Sequence, residues 1–180
     1  MERKEFFKTC AGGLCGCAGL ALFTGNEAIA SGEVQEQDWR IGFIQKRYAK
    51  MIALLGDKLG PETRNEILEQ MGRECAKEFR DRAEKYKGNL KGYLEDIQKG
   101  WFEKAEFNKE TQVIRITDRQ VNSCACPFVD KSLMSGDYCN CTIGWQKENY
   151  SFVTGKDVDV EIESSVLRGD PKCVYRITIR

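Results

Sequence analysis

No histidine occurs among the 180 residues of this chain. A metal site or a general base must therefore come from thiol, carboxylate, lysine or tyrosine. Proline is scarce, with three residues, and neither a long Pro/Ser-rich linker nor a useful internal repeat divides the chain. Net charge is also lacking, since 28 Lys and Arg balance 28 Asp and Glu. That balance removes any bulk electrostatic reason to bind nucleic acid or an anionic membrane. No apolar run reaches the roughly 18 residues that mark a membrane-spanning helix. The length suits one domain with its own core.

The N-terminus reads as an export signal over residues 1–30, leaving 31–180 as the mature domain. Arg3, Lys4 and Lys8 form a basic start, a glycine-rich, weakly apolar stretch follows, and Ala28-Ile29-Ala30 supplies a small-x-small cleavage site before Ser31. The order Arg3-Lys4-x-Phe6-Phe7-Lys8 resembles a twin-arginine signal with lysine in the second position. Leu14-Cys15-Gly16-Cys17 also resembles a lipobox, with Cys17 as the lipidated residue. On either route the mature protein lies outside the cytoplasm, at the periplasmic or extracellular face. The alternative, a helix packed on the domain, conflicts with Gly12, Gly13, Gly16 and Gly19, each costing about 1 kcal/mol in a helix interior.

The mature chain changes period halfway. Trp39, Phe43, Tyr48, Met51, Ile52 and Leu55 recur at helical steps from about Val34 to Leu55. Pro61 is placed to open a second helix carrying Ile67, Leu68, Met71, Cys75 and Phe79 on one stripe and ending near Lys87-Gly88. A short third helix is expected from Leu90 to Lys99. Trp101–Phe107 and Thr111–Thr117 then read as strands, Cys139–Val153 as a helix, and two strands close the chain around Val158–Ile162 and Val174–Ile179. Helices first and an antiparallel sheet second give an α+β single domain.

Sulfur is the reactive element that is abundant. Nine cysteines occur, and removal of Cys10, Cys15 and Cys17 with the signal leaves six. Cys124-Ala-Cys126-Pro127 and Cys139-Asn-Cys141 are two Cys-x-Cys pairs, and Cys173 follows in Arg168-Gly169-Asp170-Pro171-Lys172-Cys173. Cys75 on its helical stripe reads as a small buried hydrophobe. Three chemistries stay open for the other five. Cys124, Cys126, Cys139, Cys141 and Cys173 are candidate ligands of a tetrahedral zinc ion, although one intervening residue is tighter than the usual spacing. An iron–sulfur cluster would use the same ligand type, but these spacings do not match. Six cysteines in an oxidising compartment also suit disulfides, whose pairing the sequence does not specify. A reactive thiol is the third option: Cys139 or Cys141 sits at a helix start, Arg168 is a cationic neighbour, and Glu161 or Glu163 is a candidate base. Acids alternating along a strand also suit a solvated face. Trp145 and Tyr150 suit either a small-molecule pocket or the core.

Cys126-Pro127, then Cys139 or Cys141 before an aromatic helix, then Leu167-Arg168-Gly169-Asp170-x-x-Cys173-x-Tyr175-x-Ile177 resemble the L-2-amino-thiazoline-4-carboxylic acid hydrolase family. The closing hairpin is also similar to the vinyl-reductase-type ligand-binding domain, a small-molecule sensor module in which cysteines can hold zinc. The first resemblance implies hydrolytic opening of a cyclic amidine at a C–N bond, with Cys126, Cys139 and Cys173 at the family's recurrent cysteine positions. Cys124 and Cys141 are additions, and Thr142 and Gly144 stand where the family tends to carry an acid. The expectation is an exported hydrolase-like domain acting on a small molecule, with Cys126, Cys139, Cys173, Arg168 and Glu161 as its catalytic candidates. The alternatives are a non-enzymatic small-molecule or zinc-binding module and a disulfide-stapled protein with no site at the cysteines.

Overall fold

The computed structural model describes residues 39–180. The export signal and Cys10, Cys15 and Cys17 fall outside the described residues. Helix α1 (Trp39–Leu59) is followed by α2 (Pro61–Glu78), a short α3 (Arg80–Glu84) and α4 (Leu90–Ile97). Strands β1 (Phe102–Asn108) and β2 (Val113–Asp118) come next, then α5 (Cys139–Thr154), β3 (Val158–Ser164) and β4 (Val174–Ile179). All strand pairs are antiparallel, in the order β1-β2-β4-β3. Among the described residues, no helix is long and apolar enough to cross a membrane.

The sheet has one wet and one dry face because its strands alternate. Ile114 and Ile116 of β2, Tyr175, Ile177 and Ile179 of β4, and Val158 and Val160 of β3 are buried on one side. Each fully buried aliphatic side chain is worth about 2 kcal/mol. On the other side Arg115 pairs with Glu163, Arg176 with Glu161, and Arg180 with Asp159. The dry face is covered by Tyr150 and Val153 of α5 and by Tyr93, Leu94 and Ile97 of α4. Pro61 opens α2 as expected, where its missing N–H would have had no helical partner.

Two expectations about the helices need correction. The second helix does not run to Lys87: Phe79 leaves helical geometry (φ −108°, ψ 19°), and its ring packs on Trp145 at 5.6 Å between centroids. Its buried stripe is Leu68, Gly72 and Ala76, while Phe79 is exposed. The small residues win because α2 meets α5 backbone to backbone. A Cβ on Gly72 would lie 1.8 Å from the Cys141 carbonyl oxygen, and one on Gly144 would lie 1.8 Å from that of Glu69. On α1, the inward side chains are Gln45, Tyr48, Ile52 and Leu55, whereas Trp39, Phe43 and Met51 face solvent.

Either Gly72→Ala or Gly144→Ala should cost about 3 kcal/mol, because the clashing atom is backbone and cannot rotate away. Gly42→Ala on α1, where nothing lies within 4 Å, should be neutral or stabilising by up to about 1 kcal/mol. Urea melts followed by circular dichroism decide this. Wild-type stability of Gly144→Ala would contradict the helix contact.

Candidate functional site

The structure divides each Cys-x-Cys pair. Residues two apart on a helix point about 200° apart. At the start of α5, Cys139 therefore turns toward the sheet, while Cys141 turns into a cluster with Ile52, Leu68, Tyr48, Leu55 and Val129. In the preceding loop, Cys124 packs on the sheet core and Cys126 is exposed. Pro127 is held on α1 by Gln45, whose Nε2 donates to the Pro127 carbonyl at 2.8 Å. Two thiol groups result: Cys124, Cys139 and Cys173 beside the sheet, and Cys126, Cys141 and Cys75 near Tyr48. Cys75 is half-buried rather than buried.

The sheet-side group contains polar residues that the sequence reading passed over. The Cys139 thiol lies 2.9 Å from the Ser165 hydroxyl, and the Val166 N–H points at Cys173 Sγ at 3.5 Å. The Ser165 N–H donates to Asp170 at 2.8 Å, which anchors the turn before Gly169 (φ 97°). Asp118, the last residue of β2, donates its N–H to the Cys173 carbonyl at 2.9 Å and accepts from the Tyr175 hydroxyl at 3.2 Å. A sequence signal for these residues exists. Asp118 continues the face of Ile114 and Ile116, and Cys173 and Tyr175 continue that of Ile177 and Ile179, so strand alternation alone turns them inward.

Burial controls the chemistry of this group. It pushes the Cys124 thiol up to about 12, with Cys173 and Cys139 adding to the effect. It raises Cys139 as well, opposed by the Ser165 hydrogen bond and the Arg168 charge. In the other group it pushes Cys141 up to about 12. Such thiols stay protonated at neutral pH, and the thiolate is the nucleophile and the metal ligand. Asp118 is pushed up to about 6 by burial, against the hydrogen bonds from Tyr175 and Cys173.

Of the catalytic candidates, Cys139 and Cys173 come together, and Arg168 stands close enough for its charge to act on Cys139. Cys126 belongs to the other thiol group. Glu161 lies on the wet face, bonded to Arg176 at 2.6 and 3.1 Å, across the sheet from Tyr175. The five cysteines named as zinc ligands do not form one shell. Three thiols with the Asp118 carboxylate suit zinc in donor type. Their spacing does not: among the described residues, no three Cys, Asp or Glu side chains stand together as a metal cage.

A second polar feature lies in the core. Tyr150 is 1% exposed, and among the described residues its buried hydroxyl has no hydrogen-bond partner. The Tyr93 ring meets it edge-on at 5.6 Å, and Tyr86 packs against Tyr93 at 6.0 Å. Tyr86 also lines an open cleft of about 500 Å³ shared with Phe79, Arg82 and Asp96. Trp145 is instead a packing residue between Phe79 and Trp101.

The raised Asp118 carboxyl makes a signed prediction. The folded state holds its proton up to about pH 6 and the unfolded chain only to about 4, so this group lowers stability as pH rises between those values. Asp118→Asn keeps an acceptor for Tyr175 and removes that loss. By neutral pH the difference between variant and wild type should shift by about 2–3 kcal/mol in the variant's favour, relative to pH below 4. Parallel pH–stability curves from urea melts would show that Asp118 titrates normally.

Comparison with known proteins adds four findings. Residues 95–180 match the model of a family of unknown function (DUF6144), which covers the end of α4, the whole sheet and α5. No curated protein matches the chain. The structure is similar to a trafficking protein particle complex subunit 3 from Naegleria fowleri, crystallised covalently bound to palmitic acid, at 15% identity and a TM-score of 0.49, over 77% of this chain and 96% of that one. It is also similar to the phenol-responsive sensory domain of the transcription activator PoxR with phenol, at 17% identity and a TM-score of 0.53, over 75% of this chain and 74% of that one. The chain thus shares its fold with a ligand-sensing domain.

Proposed function

We propose that residues 39–180 form a non-catalytic, sensor-like binding module for a small, largely apolar molecule carrying one hydrogen-bonding group. The observation that carries this reading is the Tyr150 hydroxyl. A buried hydroxyl without a partner costs about 1–3 kcal/mol, and a ligand oxygen or nitrogen beside it would recover that cost. The rings of Tyr93 and Tyr86 supply an apolar, aromatic lining next to the Tyr86 cleft. The fold shared with a phenol-binding sensory domain supports the same ligand class. In this reading the sheet-side cysteines pack the closing hairpin, and the export signal over residues 1–30 delivers the module beyond the cytoplasm.

Tyr150→Phe separates ligand binding from packing. The variant should be as stable as wild type or more so, because only the unpartnered hydroxyl is lost. Its affinity for a phenol or benzoate that raises the wild-type melting temperature should fall about tenfold. A panel of such compounds that produces no thermal shift, or equal affinity in Tyr150→Phe, sinks the reading.

A hydrolase acting on a cyclic amidine is the second reading, favoured by one observation. Asp118, pushed up to about 6 beside Cys173, has the proton affinity wanted of a general base near neutral pH. Opening of 2-amino-thiazoline-4-carboxylate would then fall about 100-fold or more in Asp118→Asn and in Cys173→Ser. No turnover by wild type across thiazoline carboxylates removes it.

A further inference from the structure

Helix α1 departs from the neutrality of the whole chain. It carries Arg40, Lys46, Arg47, Lys50 and Lys58 against Asp57 alone. Its inward face is occupied by Gln45, Tyr48, Ile52 and Leu55. Its outward face is unusually apolar: Trp39 is 75% exposed, Phe43 51%, Met51 46% and Leu54 44%. Cations and apolar side chains share this arc. Arg47 lies over the Phe43 ring at 5.1 Å, and Arg47, Lys50 and Lys58 flank a shallow groove lined by Met51, Leu54 and Leu59.

We propose that this face of α1 docks the protein, in the plane of the interface, on a membrane surface of anionic phospholipid. Twenty-one residues make a strip roughly 31 Å long. Apolar and aromatic side chains enter the headgroup boundary, while lysine and arginine stems lie along it and carry their charges to phosphate. Charge selects the occupant. A second copy of α1 would bring five cations and one acid against the same set, which repels. An anionic lipid layer offers both the opposite charge and an apolar depth. The binding is peripheral, since no described helix is long and apolar enough to span. This proposal is independent of the ligand reading above.

Vesicle co-sedimentation with the full chain tests it. The protein should sediment with phosphatidylglycerol vesicles, remain in solution with phosphatidylcholine vesicles, and be released by high salt. Reversing Arg47, Lys50 and Lys58 together to Glu should lower the partition coefficient at least about tenfold, each basic residue being worth about 1 kcal/mol at such a surface. Reversing Lys91, Lys104 and Lys109 to Glu changes net charge equally and should leave binding near wild type. Phe43→Ser with Leu54→Ser, both at exposed positions, should also weaken binding and serves if the α1 charge variant fails to fold by circular dichroism. No sedimentation, equal sedimentation with neutral vesicles, or equal losses in the two charge-reversed variants overturns the proposal.

Discussion

Gly72 and Gly144 let α2 and α5 meet with their backbones in contact, and the placement of the thiols follows from that meeting. With α2 against one side of α5 and the sheet against the other, the first turn of α5 lies between two different environments. Cys139 faces Ser165 and the foot of β4, while Cys141 faces α1 and the loop that carries Pro127. Any larger residue at either glycine would separate the helices and disturb both surroundings together.

The sheet-side group is governed by desolvation more than by pairing. Burial raises the Cys124 and Cys139 thiols, and among the described residues the Asp118 carboxylate is hydrogen-bonded by Tyr175 and Cys173 rather than by a cation. A site evolved around a thiolate nucleophile would set a strong positive charge or a base against the sulfur. Arg168 moves Cys139 in that direction, yet burial still dominates. Tyr150 reflects the same low-polarity interior: α5 and α4 bury its hydroxyl beside the Tyr93 ring, with no hydrogen-bond partner among the described residues.

Much of the fold was legible from local rules. Pro61 marked the start of α2, and Val158, Val160 and Ile162 with Val174, Ile177 and Ile179 marked the closing hairpin, where Tyr175 rather than Val174 shares the dry face of Ile177 and Ile179. The α2 stripe was misread because hydrophobicity favours Ile67, Met71 and Phe79, whereas a backbone contact needs the smallest residues. Asp118 was legible from strand parity but was overlooked, since an acid at a strand end ordinarily reads as solvated. Trp39 and Phe43 recur at helical steps yet lie exposed, because periodicity reports that a helix has apolar positions without saying which of them the fold covers.

From the sequence alone came the absence of imidazole chemistry, the α+β layout, and sulfur as the main candidate chemistry, because composition and periodicity are properties of the chain itself. Which thiols meet was decided only by tertiary structure. Cys139 and Cys141, two apart on α5, diverge by about 200°, and the loop path separates Cys124 from Cys126, so each Cys-x-Cys pair feeds two groups rather than one. The inward turn of Asp118, the Tyr150 hydroxyl with no partner among the described residues and the exposed apolar and basic face of α1 likewise depend on which surfaces the packed helices and sheet leave open.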